Sequence, residues 1–278
     1  MSLAVRIALR EDVGSGDRTT AALGLKGKSG RARVIARNPG ILAGADCFET
    51  VFRRLDPKAR CVWRIREGGR FRANDTIVIV RGRADALLTG ERTALNFLGH
   101  LSGVATATGK LAQRIPRGTA RLLDTRKTTP GLRLLEKRAT RLGGAVNHRL
   151  GLYDALMIKD NHIAACGDLP LAIRRARRQR GPRPLVCEVR NLTEIRIALR
   201  EGAGWLLLDN FTVARLRRAV RLIREFEREH HTRVTIEASG DVTARRIDAI
   251  ARTGVRFISA GSITHSAPAV NFSMEWSE

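Results

Sequence analysis

The hydrophobic rhythm of the chain changes near residue 119, and the change predicts its organisation. Before that point, short mixed runs bounded by Gly, Pro and Asn read as strands at 31–37 (Arg-Ala-Arg-Val-Ile-Ala-Arg), 60–65 and 76–81 (Thr-Ile-Val-Ile-Val-Arg). They predict a small mixed α/β unit with sheet pairing. From Glu91 to about Gln113, Leu95, Leu98, Leu101, Val104 and Leu111 follow helical spacing, with Gly99 and Gly103 permitting close packing or a break.

After residue 119, each short apolar run ends in a polar residue and leads into a helical segment. Arg121–Asp124 precedes a helix near 131–141, Ala155–Lys159 one near 168–179, and Leu185–Glu188 one near 193–201. Trp205–Asp209 precedes 213–228, Val234–Glu237 precedes 242–251, and Phe257–Ala260 closes the series. Six such units predict parallel strands with right-handed crossovers. The strands are apolar throughout, as expected when both faces are covered. No Gly-x-Gly-x-x-Gly follows any strand, which favours a barrel over a dinucleotide-binding sheet.

Composition narrows the class. With 278 residues and 43% apolar content the chain can bury a core, so neither a disordered tail nor a disulfide-stapled scaffold fits. No apolar run approaches the roughly 18 residues of a membrane span. The start, Met1-Ser2-Leu3-Ala4-Val5, is too short and lacks a cleavage site for a secretory signal. Cys47, Cys61, Cys166 and Cys187 show no Cys-x-x-Cys and no zinc spacing, so free thiols in a reducing cytoplasm are expected.

The net charge is +24, from 51 Lys and Arg against 27 Asp and Glu. Such an excess suits nucleic acid, an anionic membrane surface or polyanionic small substrates. The Arg residues are spread along the chain, however, and no aromatic residues alternate with them. A nucleic-acid-binding protein is therefore the lesser alternative.

In β/α barrels the chemistry sits at the carboxyl ends of the strands. Here those ends read Asp124-Thr125-Arg126-Lys127, Lys159-Asp160-Asn161-His162, Glu188, Asp209-Asn210, Glu237-Ala238-Ser239-Gly240 and Ser259-Ala260-Gly261. Any one could be a turn former, but six polar ends of six are hard to explain that way. Arg126, Lys127, His148, Arg149 and Lys159 form a cationic group. The peptide amides around Ser239-Gly240 and Ala260-Gly261 can approach an anion closely, and Thr264 and His265 follow the second loop. Glu188 and Asp209, on neighbouring ends, could bind Mg²⁺ while leaving it to substrate phosphates and water; their plainer role is a pair of salt bridges to nearby Arg. Four or five cations suit a substrate with several carboxylates or phosphates. A phosphate loop, metal acids and a carboxylate clamp together describe phosphoribosyl transfer to an acidic acceptor. No Ser-His-Asp or Cys-His set suggests a covalent nucleophile.

The chain resembles the quinolinate phosphoribosyltransferases, the carboxylating nicotinate-nucleotide pyrophosphorylases of NAD biosynthesis. The resemblance runs from Glu11-Asp12-Val13-Gly14-Ser15-Gly16-Asp17 to Thr264-His265-Ser266. Its most specific stretches are Glu91–Asn96, Asp124-Thr125-Arg126-Lys127-Thr128-Thr129-Pro130-Gly131, Asn147-His148-Arg149 and Ile158-Lys159-Asp160-Asn161-His162. It implies an N-terminal α/β sandwich domain at 1–103, carrying the tail 266–278. It implies also an open parallel β/α barrel of about six strands at 104–265, in a homodimer. Arg92 would reach the barrel of the other subunit. Arg92, Arg126, His148, Arg149 and Lys159 would hold the two carboxylates of quinolinate. Lys127 would serve the phosphates. Glu188 and Asp209 would face the ribose and Mg²⁺-pyrophosphate of phosphoribosyl pyrophosphate, and Ser239, Gly240, Gly261 and His265 its 5′-phosphate. The catalytic burden would fall on Lys127, Lys159, Glu188 and Asp209, and the product would be nicotinate mononucleotide after decarboxylation.

Three departures from the family pattern stand out. Arg190 follows Glu188-Val189 where another acid is common, Asp241 follows Ser239-Gly240 where a neutral residue is usual, and the chain starts late. A paralogue associated with molybdenum transport shares the Asp124–Gly131 motif and His148-Arg149, but tends to lose the Ile158–His162 segment that is intact here.

Overall fold

In a computed structural model that describes residues 2–276, the chain divides into two compact units. The first gathers the residues up to 109 with 128–144 and those from 263 onward; the second holds 110–127 and 145–262.

The first unit contains α1 (Ser2–Val13), α2 (Arg18–Ala22), β1 (Ser29–Ala36), β2 (Gly40–Ile41), α3 (Ala45–Leu55), β3 (Arg60–Trp63), β4 (Arg70–Phe71), β5 (Thr76–Arg83), α4 (Ala84–Ala112) and α5 (Arg133–Leu142). The C-terminal strand Phe272–Trp276, β1, β5 and β3 form one antiparallel sheet in that order. Its buried face carries Val34, Val78 and Val80 into a core shared with Phe48 and Phe52 of α3 and Leu87, Leu98 and Leu101 of α4. α3 offers that core one apolar stripe, Cys47, Phe48, Val51 and Phe52, at helical spacing. α2 starts where the Asp17 side chain accepts from Thr20 N at 3.0 Å.

Two readings of the sequence change here. α4 runs unbroken through Gly99 and Gly103, and both glycines serve close packing. A Cβ on Gly103 would lie 2.3 Å from the Pro268 carbonyl oxygen, and one on Gly99 2.8 Å from that of Val270. The helix expected near 131–141 also exists, as α5, but it belongs to the first unit rather than to a barrel domain at 104–265. Leu135 and Ala139 join the first unit's core, and buried Glu136 accepts from His100 Nε2 of α4 at 2.8 Å. The expected cut at 103/104 falls inside α4.

The second unit is built from β6 (Arg121–Leu123), β7 (Leu156–Ile158), α6 (Asp160–Cys166), α7 (Leu169–Gln179), β8 (Leu185–Val189), α8 (Leu192–Arg200), β9 (Trp205–Asp209), α9 (Val213–Glu229), β10 (Thr235–Ser239), α10 (Ile247–Ala251) and β11 (Phe257–Ser259). All six strands are parallel, in the order β6-β11-β10-β9-β8-β7. That is the cyclic order of a β/α barrel, open between β6 and β7, where Val146 makes a parallel bridge to Leu123. Asp168, Asn191 and Thr212 cap α7, α8 and α9, each side chain accepting a first-turn amide. Two helices differ from expectation. α6 begins directly after Lys159, ahead of the helix expected near 168–179. The segment expected to be helical from 242 turns instead around Thr243, whose carbonyl accepts from Arg246 and Ile247, and α10 starts only at Ile247.

Burial pushes the thiols of Cys47 to about 11 and of Cys61 and Cys187 to about 12, and all four cysteines are unpaired. Among the described residues, no helix is long and apolar enough to cross a membrane.

Candidate active site

Strand register places the polar ends on one face. Met157, Val186, Trp205 and Thr235 are successive partners across β7, β8, β9 and β10, and Glu237 pairs with Phe257 of β11. Alternate residues share a face of a sheet. Lys159, Glu188, Asp209, Ser239 and Ser259 therefore lie on the same face, at the carboxyl ends.

Three clusters occupy that end. In the first, Lys159 Nζ lies 3.0 Å from Glu188 Oε2, with the Glu188 side chain only 11% exposed. The Lys159 backbone amide is held by His162 Nδ1 at 3.0 Å, which fixes the residue at the start of α6. Nearby, Arg190 reaches Asp160 Oδ2 at 3.7 Å, so this departure from the family pattern pairs with an acid of the Ile158–His162 motif.

The second cluster is cationic. Burial, and secondarily the neighbouring Arg126 guanidinium, lower the pKa of Arg149 below the ordinary arginine value. Arg149 Nη1 donates to the Ala155 carbonyl at 3.1 Å. Neighbouring like charges disfavour each other, an effect that Asp154 opposes at Arg149, and a pair of this type can accept a carboxylate. Their loops are stitched together by Asp124, which is fully buried at the end of β6. Its Oδ1 accepts from the His148 amide at 2.8 Å and its Oδ2 from Asn147 Nδ2 at 2.5 Å. Lys127, exposed on the same loop, has its amide on Thr125 Oγ1 at 3.0 Å.

The third cluster is the turn after β10. Gly240 has φ +91°, and a Cβ there would lie 2.0 Å from Asn210 Oδ1, so only glycine fits. Asn210 N donates to the Ser239 carbonyl at 2.9 Å and Asn210 Nδ2 to Asp209 Oδ2 at 2.9 Å, locking the ends of β9 and β10 together. Asp241, exposed at φ +45°, adds a negative charge to this turn. Gly261 follows β11 in the same unit.

Arg92 and His265 belong to the first unit. Arg92 is exposed on α4, one turn beyond exposed Leu88. His265 ends the short helix Ser262–His265, which also carries buried Thr264, and its Nδ1 lies 2.6 Å from Ser266 Oγ.

His148 is almost enclosed within the chain. Its side chain is 6% exposed, Nδ1 accepts the Arg149 backbone amide at 2.7 Å, and Nε2 faces Glu237 Oε2 at 3.3 Å. In this geometry both ring nitrogens are engaged within the chain. Asp124 and Glu237 are recognised in the sequence as polar strand ends but carry no assigned role there; a carboxylate closing an apolar run is the signal that marks them.

Glu188 and Asp209 are the acids able to face a divalent ion. Among the described residues no cluster of three or more His, Cys, Asp or Glu could hold a metal. Two separate carboxylates fit Mg²⁺ only as an ion held mainly by substrate oxygens and water.

Comparison with known proteins agrees with this architecture. Residues 17–102 match the family model of the quinolinate phosphoribosyl transferase N-terminal domain, and residues 104–275 that of its C-terminal domain. A probable nicotinate-nucleotide pyrophosphorylase [carboxylating] of Synechocystis sp. is 44% identical over 269 residues, covering 96% of this chain and 89% of that protein. The solved nicotinate-nucleotide pyrophosphorylase of Francisella tularensis superposes with a TM-score of 0.92 at 38% identity, over 99% of this chain and 95% of its own. That of Ehrlichia chaffeensis gives 0.93 at 32% identity, over 100% and 98%.

Proposed function

This chain belongs to the quinolinate phosphoribosyltransferase family, and on that footing we propose that it transfers the phosphoribosyl group of phosphoribosyl pyrophosphate to quinolinate and decarboxylates the adduct to nicotinate mononucleotide. The observation that carries the reading is the Lys159–Glu188 ion pair at the carboxyl ends of the parallel strands, in the unit that also holds Arg126 and Arg149: cations for a diacid and an acid for a cationic sugar.

Arg126, Arg149 and Lys159 hold the two carboxylates, joined by Arg92 of a second copy. The stripe of α4 that exposes both Leu88 and Arg92 supports such a homodimer. Held in this way, the pyridine nitrogen attacks the anomeric carbon as pyrophosphate departs. Lys127 meets the leaving phosphates, and the turns at Ser239-Gly240 and Gly261, with His265, take the 5′-phosphate. Glu188 and Asp209 face the ribose, where preorganised negative charge stabilises the oxocarbenium character of the transition state. Mg²⁺, when bound, supplies neutralising charge to the pyrophosphate. The ring of the resulting quinolinate mononucleotide is cationic and draws in the electron pair of the breaking carbon–carboxylate bond next to nitrogen; CO₂ leaves, a proton takes its place, and the nicotinate ring results. His148 enters through the backbone of Arg149 rather than by touching substrate.

The substrates are soluble and the four thiols are unpaired, which supports a cytoplasmic setting. Incubation of the purified chain with quinolinate, phosphoribosyl pyrophosphate and Mg²⁺ should yield nicotinate mononucleotide, CO₂ and pyrophosphate in equal amounts. No mononucleotide under those conditions would overturn the reading.

A further inference from the structure

Glu237 is a fully buried acid inside the parallel sheet, on β10. Burying a carboxylate is costly unless it is well bonded, so its retention calls for a reason. One oxygen, Oε2, takes two donors: Trp205 Nε1 at 2.9 Å and His148 Nε2 at 3.3 Å. The other, Oε1, has no hydrogen-bond partner among the described residues. The acid is thus turned towards the indole and the imidazole at the expense of its second oxygen.

The imidazole is constrained on every side. Nδ1 accepts the Arg149 amide at 2.7 Å, which needs a lone pair there and so leaves the proton on Nε2, facing the acid. The ring also lies 5.4 Å from Trp205 at 31°, and Trp205 stacks in turn on Phe257 at 5.5 Å and 24°. A second carboxylate, Asp124, holds the His148 amide. Two buried acids, one directly after β6 and one on β10, therefore fix one histidine, and the next residue is the guanidinium offered to the diacid.

We propose that Glu237 is a positioning residue for the diacid site: its carboxylate sets the tautomer and plane of His148, and His148 holds the main chain at Arg149. This rests on the reading that Arg149 binds quinolinate. It adds a supporting layer to that site, since a guanidinium misplaced by an ångström loses its paired bonds to a carboxylate.

The test compares wild type with Glu237→Gln, Glu237→Ala, His148→Ala and the His148→Ala/Glu237→Ala double variant in steady-state kinetics. Glu237→Ala should raise the quinolinate KM about tenfold or more while the phosphoribosyl pyrophosphate KM stays within about twofold. Glu237→Gln, whose amide oxygen still accepts both donors, should restore the quinolinate KM to within about threefold of wild type. In the His148→Ala background, removing Glu237 should add nothing. A parallel rise in both KM values, a Glu237→Gln variant as impaired as the alanine variant, or multiplying effects in the double variant would each overturn the proposal.

If Glu237→Ala does not fold, ¹⁵N spectra of the histidine rings decide. The chain has six histidines, and His148→Gln identifies the relevant signals. Wild type should show His148 protonated on Nε2 only; a proton on Nδ1 would overturn the assignment. This readout needs no turnover, so a chain that made no nicotinate mononucleotide would fail the functional reading and leave the tautomer result standing.

Discussion

Lys159 and Glu188 are ion-paired at 3.0 Å across the ends of neighbouring strands, so a cation proposed for the diacid and an acid proposed for the sugar are each other's partner. On the proposed roles, quinolinate has to compete with Glu188 for Lys159, and the acid freed in this way would turn to the ribose, so that binding of one substrate would favour the other. Glu188→Gln should bind quinolinate up to about fivefold more tightly, the yield expected from breaking a partly exposed pair, while turnover collapses. Lys159→Met should weaken quinolinate binding about tenfold or more. Calorimetric titration with quinolinate alone separates the two; weaker binding by Glu188→Gln would show that the pair does not compete with the ligand.

Arg149→Ala should lower kcat/KM for quinolinate by roughly 100-fold or more, since a paired guanidinium–carboxylate contact is lost. Its melting temperature should hold or rise, because burial and Arg126 already disfavour the charge. A variant that unfolds yet keeps its activity per folded molecule would make Arg149 structural instead.

Arg92→Ala and Lys159→Ala should each be inactive alone. Co-purified as mixed dimers, they should recover activity at one of the two sites if Arg92 is contributed by the second copy. Mixed dimers without activity would put Arg92 in the site of its own chain.

Asp241 places a carboxylate beside the proposed phosphate turn at φ +45°, a conformation that asparagine also tolerates. Asp241→Asn should lower the KM for phosphoribosyl pyrophosphate about two- to fivefold, the gap narrowing as salt screens the charge. An unchanged KM at low salt would place the carboxylate out of range of the phosphate.

Glu136 sets a pH dependence of stability. Burial raises its carboxyl pKa, but hydrogen bonds from His100 and from Thr129 outweigh that and hold it below the usual range. A lowered folded-state value means stability that is fully present above the ordinary carboxyl pKa and is lost as pH falls through the lowered one. Glu136→Gln should therefore cost about 1–3 kcal/mol at pH 7, with the gap to wild type closing under acid in urea titrations. A gap of constant size down to strongly acid pH would show that the charge is not what stabilises.

Much of the site could be read in the chain before folding. The six strand ends follow from polar residues closing apolar runs, a local property of sequence, whereas the shared face of Lys159, Glu188 and Asp209 is set by the register between strands. The Asp124–Gly131 and Ile158–His162 motifs carried the family. Three of the first unit's strands are legible to within two residues at their ends, while β2, β4 and Phe272–Trp276, too short or too mixed to stand out, are not. α5 is legible as a helix, but its place in the first unit's core is not, because periodicity shows that a helix has an apolar stripe and not which core receives it.

The sequence by itself determined which residues stand at the strand ends and which chemistry their types allow. Tertiary structure decided which of them meet. Glu237 and His148 are 89 positions apart, and only the parallel pairing of β9, β10 and β11, with the bridge from Val146 to Leu123, brings acid, indole and imidazole together. Hydrogen-bond partners at such separation are selected by the closure of the sheet, and no pattern along the chain encodes them. For the same reason His148, whose residue type suggested a ligand, is engaged at both nitrogens inside the unit.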